Sequence, residues 1–399
     1  MRRLNLARIF EIIRVNGPMT RQQIGKLSGL SKPTVNEALD ILSKENLILL
    51  DDVKSNGESG RPGPKAQQIS YNRFRSKIMA IDIGGSKIRI LISDLEGNLL
   101  ANATKPTPTD AGRSKILNTI KKLSDESLEL AKVDLDEIES IVVGTPGTID
   151  SKNGFITRSY NLPDWENFSL SYELTRLLSK EVQVENEAHL AIYGESWLGA
   201  AKGLNNAAIM SVGVGIGLGL LIDGQVYKGF NGIAGEIGNL PIFNSDLNEL
   251  NTSANFEFYA SATGIERSFE NMKNNEGAKE IEKMADGERV SAKTIYEAAT
   301  KGNKLANKLK SNQIELLGRG IAAICCVTNP QVFILAGGMA PSLEKNLDKL
   351  KATVAKYTLI PPQLVISQLK DLATAYGALR RGIESINRAT LISILSEIA

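Results

Sequence analysis

The chain has 399 residues, 42% of them hydrophobic and 23% charged, with a net charge of +2, which is the profile of a globular protein of two or three domains. No apolar run approaches the roughly 20 residues that span a bilayer and no signal-peptide core opens the chain, so a cytoplasmic protein with no membrane partner is expected. Two adjacent cysteines, Cys325 and Cys326, and one histidine, His189, argue against a disulfide framework and against a Cys/His metal site.

The charge is uneven. Residues 1–75 hold thirteen Lys and Arg against seven Asp and Glu, a net +6 that leaves −4 for the rest. A basic front on a mildly acidic body points to a polyanion partner for the front alone.

That front reads as a winged helix-turn-helix. Leu4, Ile9, Ile12 and Ile13 repeat at helical spacing until Gly17-Pro18. Thr20 caps a second helix, residues 21–28, which stops at Gly29; Ser31 caps a third, with Pro33 in its first turn and Val35, Leu39 and Leu42 facing inward. Lys32, Thr34 and Asn36, with Ser31 and Arg21 beside them, then form the exposed front of a recognition helix able to meet base edges and phosphates. A strand over residues 47–51 leads to Gly60-Arg61-Pro62-Gly63-Pro64-Lys65, whose Arg61 and Lys65 suit a minor groove as well as a solvated linker turn.

Beyond Tyr71 strands alternate with helices, the pattern of an α/β domain. Strands over 78–83, 88–93 and 99–104 form a meander, and an amphipathic helix follows over 114–131. In the first turn, Asp82-Ile83-Gly84-Gly85-Ser86-Lys87, two glycines permit close approach of a ligand while Ser86 and Lys87 suit an anion; a plain hairpin explains the same residues. A buried strand over 138–143 ends in Gly144-Thr145-Pro146-Gly147. The loop Asn161-Leu162-Pro163-Asp164-Trp165 follows, in which Trp165 is either core or a platform for the apolar face of a sugar.

Val182 begins a strand that hands over at Glu185-Asn186-Glu187 to a helix reaching Trp197, and these polar residues either cap that helix or point into a cleft. Four alternating glycines, Gly213, Gly215, Gly217 and Gly219, interrupt the next β run, and close approach of a phosphate or flat ring explains them better than packing does. Ala234-Gly235-Glu236-Ile237-Gly238-Asn239 and, after another buried strand, Gly337-Gly338 complete the series. A helix over 373–384 is expected to return to the first lobe, with an amphipathic tail over 388–399 available for an oligomer contact.

In that order these motifs resemble the ROK family, bacterial sugar kinases and sugar-responsive repressors, along essentially the whole chain. The front module resembles its xylose-repressor and N-acetylglucosamine-repressor branch. The resemblance implies an α/β fold: a winged helix-turn-helix followed by a two-lobed actin-like ATPase (ribonuclease H-like) domain. Residues 1–70 would be the DNA module, 76–190 with 373–399 the first lobe, and 191–372 the second. It also implies sugar contacts at Gly147, Asn161, Asn186, Glu187, Glu236, Asn239 and Glu257. Nucleotide or phosphate contacts would fall on Asp82, Gly84, Gly85, Ser86, Lys87, Gly213, Gly215, Gly337 and Gly338.

The chain departs from the family pattern in three places. Where family kinases have a catalytic Asp stands Glu187, whose extra methylene moves the carboxylate by roughly an ångström, enough to cost about 100-fold in rate. Val214 replaces the Thr of the phosphate turn, which argues against ATP use. Asn239, Asn248, Leu250 and Asn255 stand at the zinc positions, so neither zinc nor another cofactor is expected. The expected function is a sugar-responsive regulator, a repressor of a carbohydrate-utilisation operon, with operator DNA, a sugar effector and one or three further copies of itself as partners. The alternative is an ATP-dependent sugar kinase that also binds DNA.

Overall fold

The computed structural model describes residues 1–52, 67–150, 153–159, 162, 164–241 and 255–396. Three helices open it: α1 (Arg2–Asn16), α2 (Arg21–Ser28) and α3 (Lys32–Lys44). Their ends follow from local chemistry. The Thr20 hydroxyl accepts from the Gln23 amide while the Gln23 side chain takes the Thr20 N–H at 2.8 Å, a reciprocal cap that starts α2. Gly29, at φ +66°, ends it in the left-handed region. Ser31 caps α3, which buries Val35, Ala38, Leu39 and Leu42 as its periodicity predicts. In α1 the inward face is Leu6, Ile9, Phe10 and Ile13; Leu4, expected inside, is exposed.

Strands β1 (Met19–Thr20), β2 (Ile48–Asp52) and β3 (Gln67–Tyr71) form the small antiparallel sheet of the wing, in the order β1-β3-β2. The local pattern of residues 67–71 does not predict β3. The proposed groove contacts Arg61 and Lys65 lie outside the described residues.

The first α/β unit contains β4 (Lys77–Ile83), β5 (Lys87–Ser93), β6 (Leu99–Pro106), α4 (Gly112–Ala131) and β7 (Ile138–Thr145). A second small sheet, β8 (Thr148–Asp150), β9 (Phe155–Arg158) and β10 (Phe168–Ser169), leads to α5 (Leu170–Leu178), β11 (Val182–Asn186) and α6 (Glu187–Leu198). The next unit has β12 (Ala207–Val212), β13 (Ile216–Ile222), β14 (Gln225–Val226), five helices and β15 (Val332–Ala336). Those helices are α7 (Phe256–Ala260), α8 (Ala262–Glu270), α9 (Ala278–Met284), α10 (Ala292–Thr300) and α11 (Lys304–Thr328). The chain closes with α12 (Ala340–Glu344), α13 (Leu347–Tyr357), β16 (Gln363–Ile366) and α14 (Ala373–Ser396).

The two large sheets share one plan. Their orders are β11-β7-β4-β5-β6 and β14-β13-β12-β15-β16, and in each the central strand has antiparallel neighbours on one side and parallel ones on the other. This doubling is the two-lobed architecture that the family resemblance implies, and each lobe has the α/β character expected from the alternation of strands and helices.

Helices α6 and α14 cross with their backbones in contact. A Cβ on Gly377 would lie 1.8 Å from the Leu190 carbonyl oxygen, and one on Gly194 2.2 Å from that of Ala373. α14 then runs on to the winged helix. Ile386 and Ile394 share one apolar core with Leu6, Ile9, Phe10 and Ile13, and the Tyr71 hydroxyl donates to Asn387 at 2.7 Å. The described part of the tail therefore packs on the winged helix of its own chain. The connection between the modules is taut as well: the Leu95 N–H donates to the Arg73 carbonyl, and Arg73 pairs with Asp94 and Glu96. Among the described residues no helix is long and apolar enough to cross a membrane.

Candidate functional site

Register brings the first set of polar residues to one sheet edge. Asp82 on β4 and Glu185 on β11 both stand opposite Gly144 of β7, roughly 10 Å apart across it, and Asn186 stands opposite Thr145. These are carboxyl ends of parallel strands, where α/β sheets hold ligands. The Asn186 side chain serves two ends here. Its oxygen caps α6 by accepting from the Ala188 amide at 2.8 Å, and its nitrogen donates to the Gly147 carbonyl at 3.0 Å. Gly147 has φ +115° and no room for a side chain, since a Cβ would sit 2.5 Å from the Arg158 carbonyl oxygen.

From the other lobe, Gly235 packs on the Leu218 carbonyl at φ +99° and directs the next residue, Glu236, back across the cleft. The Glu236 carboxylate takes a hydrogen bond from the Thr148 side chain of β8, so a contact joins the two lobes. Glu257, in the first turn of α7, accepts from the Ile216 amide at 2.7 Å. Asn239 is exposed at the end of the short turn Ile237–Asn239, and Asn161 lies outside the described residues.

Four carboxyl groups thus come near one another, with Asp82 and Glu236 both acting on Glu187 and Glu257 acting on Glu236. Burial pushes Asp82 up to about 7, an effect that Arg89 and Lys87 oppose. Burial raises Glu187 to about 8, with Asp82 and Glu236 adding like-charge repulsion. Glu236 and Glu257 are raised too, again first by burial. Glu187 is therefore mostly protonated at neutral pH and can donate a hydrogen bond.

A carboxyl whose folded value is raised stabilises the protein fully below its unfolded value, and the contribution is lost as pH rises through the folded one. Unliganded protein is expected to lose thermal stability as pH climbs from about 4.5 to about 8. Glu187→Gln should flatten that slope, with a remainder from Asp82. Melting curves at pH 5, 7 and 9 check this, and an unchanged slope would remove Glu187 as its source.

The glycine series divides by neighbour. Gly213 and Gly337-Gly338 meet at the carboxyl ends of parallel β12 and β15: the Cβ position of Gly213 lies 3.8 Å from the Gly338 amide, and around Gly338 there is open space. Val214 is exposed at the tip of that turn, beside Gly215. Gly219 has a different cause, because a Cβ there would lie 2.2 Å from the Ala188 carbonyl oxygen; Gly217 faces the Ala188 methyl. Expected to face a ligand, Gly219 instead admits α6 against the sheet, while a side chain at Gly217 would make only ordinary contact with α6.

In the first hairpin the Gly84 amide donates to the Lys87 carbonyl at 2.9 Å, and Gly85 and Ser86 are exposed. Lys87 pairs with Asp371, which also takes Arg89 at 2.8 Å; the Lys87 hydrogen bond holds the Asp371 carboxyl below its ordinary range. Trp165 is only 1% exposed, stacks edge-on with Phe168 and donates to the Thr145 hydroxyl at 3.2 Å. Its ring is core, not a sugar platform.

Zinc does not fit the donors at its family positions. Asn239 offers an amide, the Asn255 side-chain oxygen already accepts from the Phe258 amide to cap α7, and Asn248 and Leu250 lie outside the described residues.

On the winged helix, Ser31, Lys32, Thr34, Asn36 and Arg21 gather at the start of α3. Arg21 donates to Asn36 at 3.0 Å and to Gln67 at 3.1 Å, and the Ser31 and Thr34 hydroxyls bond each other at 2.9 Å. Lys32 is exposed. Sequence reasoning missed Thr148, Lys228, Tyr71 and Arg381, whose partners lie far away along the chain and leave no local signal.

Comparison with known proteins follows the same division. A winged helix-turn-helix DNA-binding model matches residues 4–48. The xylose repressor of Caldicellulosiruptor bescii is 25% identical over 95% of this chain and 95% of its own length, whereas the glucokinase of Thermotoga maritima is 29% identical over 76% of this chain and 96% of its own. Among solved structures, a ROK family transcriptional regulator described as a homolog of the E. coli MLC protein covers 99% of this chain and 98% of its own at TM-score 0.76 and 20% identity, a likeness of fold. A ROK family glucokinase from Streptomyces griseus, solved with glucose and AMPPNP, covers 77% of this chain and all of its own at TM-score 0.66 and 26% identity. The ROK family model itself matches residues 78–380, and the chain belongs to that family.

Proposed function

We propose that this chain is a sugar-responsive, DNA-binding repressor of carbohydrate utilisation. The observation that carries the reading is the union of two parts: a winged helix sharing its apolar core with α14, and a group of carboxyls and amides that includes Asn186 and Glu187 at the start of the helix that α14 crosses. The xylose repressors match both parts, while the glucokinases match only the second. In this reading residues 1–70 bind operator DNA. Residues 76–190 with 373–399, and residues 191–372, are the lobes, with Gly147, Asn161, Asn186, Glu187, Glu236, Asn239 and Glu257 taking sugar hydroxyls.

Closure of the lobes shifts two winged helices in a homodimer relative to two half-sites. A hundredfold change in operator occupancy needs roughly 2.7 kcal/mol, within reach of two or three net hydrogen bonds. A panel of mono- and disaccharides tested against retardation of an operator fragment decides the matter; retardation indifferent to every sugar would refute the reading. Lys32→Ala is expected to weaken operator binding at all sequences alike and to lower the slope of log affinity against log salt by about 1, as loss of one phosphate contact does.

A second reading, a sugar kinase that also binds DNA, is supported by the carboxyl of Glu187 at the cleft. A group raised to about 8 is in its base form only as a minority near neutral pH, so in this reading turnover rises as pH climbs toward 8. Coupled assay of ADP release with the same sugar panel separates the readings.

A further inference from the structure

Next to the cleft, Glu185 is a buried carboxylate, 5% exposed, placed between two cations from different parts of the fold. Both its oxygens hold the Lys228 ammonium at 2.5 Å. Arg381 of α14 already forms a long ion pair with Glu185, its Nε 3.5 Å from Glu185 Oε1, and that nitrogen is buried without a hydrogen-bond partner, so the contact has yet to close to hydrogen-bond distance. A buried guanidinium nitrogen facing a carboxylate already taken by another cation marks a site with a second available pairing.

The two cations report to opposite ends of the molecule. Lys228 begins a short loop, closed by the Ala234 amide on the Lys228 carbonyl at 3.1 Å and pinned by the His189 ring at 2.8 Å from the Ala234 oxygen. Two residues later stands Glu236, the residue that crosses the cleft. Arg381 lies on α14, roughly 9 Å along the axis from Asn387, which holds Tyr71 of the wing.

We infer that Glu185 is the positioning residue that passes the state of the sugar cleft to the winged helix, by exchanging Lys228 for Arg381. The inference rests on the sugar-responsive reading above. With the cleft empty, Glu185 holds Lys228 and α14 keeps the winged helix in its operator-binding pose. When Glu236 moves onto a sugar, its loop withdraws Lys228, Arg381 takes the freed oxygen, and α14 shifts with the winged helix attached to it.

The exchange predicts opposite phenotypes for its two cations. Lys228→Met frees Glu185 for Arg381 without sugar, so operator affinity in the absence of sugar is expected to fall at least tenfold. Arg381→Met removes the second pairing: operator affinity without sugar and sugar affinity stay within about threefold of wild type, but saturating sugar no longer releases the operator. Fluorescence anisotropy on an operator fragment, with xylose and glucose as probes, and calorimetry of the same sugars read these quantities in the full chain. For the wild type, hydrogen exchange along 381–390 should change on adding the active sugar, a readout that needs no variant to fold. Variants that respond like wild type, variants that shift in the same direction, or unchanged exchange would each overturn the inference and leave the sugar-responsive reading intact. A wild type that answers neither probe nor any other sugar of the mono- and disaccharide panel overturns both.

Discussion

Gly377→Ala is expected to destabilise the protein by about 3 kcal/mol, the upper part of the range for forcing atoms into a filled interior. The added methyl would stand 1.8 Å from the Leu190 carbonyl oxygen, a backbone atom of α6 that cannot rotate away. The helices must therefore separate by more than an ångström along a contact that also positions Asn186 and Glu187 at the start of α6. Thermal or urea unfolding measures the loss. Since α14 also carries Ile386 and Ile394 in the core of the winged helix, operator binding should weaken in the fraction that remains folded. A variant as stable as wild type would show that the crossing has slack.

Asn186→Ala is expected to cost about 100-fold in affinity for the effector sugar. The side chain caps α6 and ties the Gly147 turn, so its loss removes about 1 kcal/mol of helix stabilisation and releases that turn. Loss of one or two hydrogen bonds to sugar hydroxyls adds about 1 to 3 kcal/mol each, because the sugar's polar groups then lie unpaired in the cleft. Calorimetry gives the affinity directly, and the sugar concentration that releases the operator should rise in parallel. Sugar affinity equal to wild type would place the effector elsewhere.

Much of the winged helix was legible because its signals are local. Thr20 with Gln23, Ser31 with Thr34, and Gly29 at a left-handed turn each act within four residues, and the structure reproduces those ends. β3 was not legible: Gln67–Tyr71 becomes a strand because β1 and β2 flank it, not because of its own pattern. Among the glycines, Gly219 and Gly338 look alike in sequence, yet one admits a helix backbone and the other borders open space. Trp165 had two readings of comparable chemistry, and only its place beneath β7 decided for the core. Asn186 was read as cap or cleft residue; the cap is present, and the same side chain also donates to the Gly147 carbonyl.

From the sequence alone came the order of the motifs, the family they resemble, the basic front and the three places where the chain departs from the family pattern. Those features are carried by residue type and short spacing, which act along the chain. Tertiary structure decided which carboxyls converge, that α6 and α14 touch backbone to backbone, and that the last helix joins the core of the first. The physical reason is separation: Tyr71 and Asn387, which tie the wing to α14, are 316 residues apart, and packing at that distance depends on the whole intervening fold.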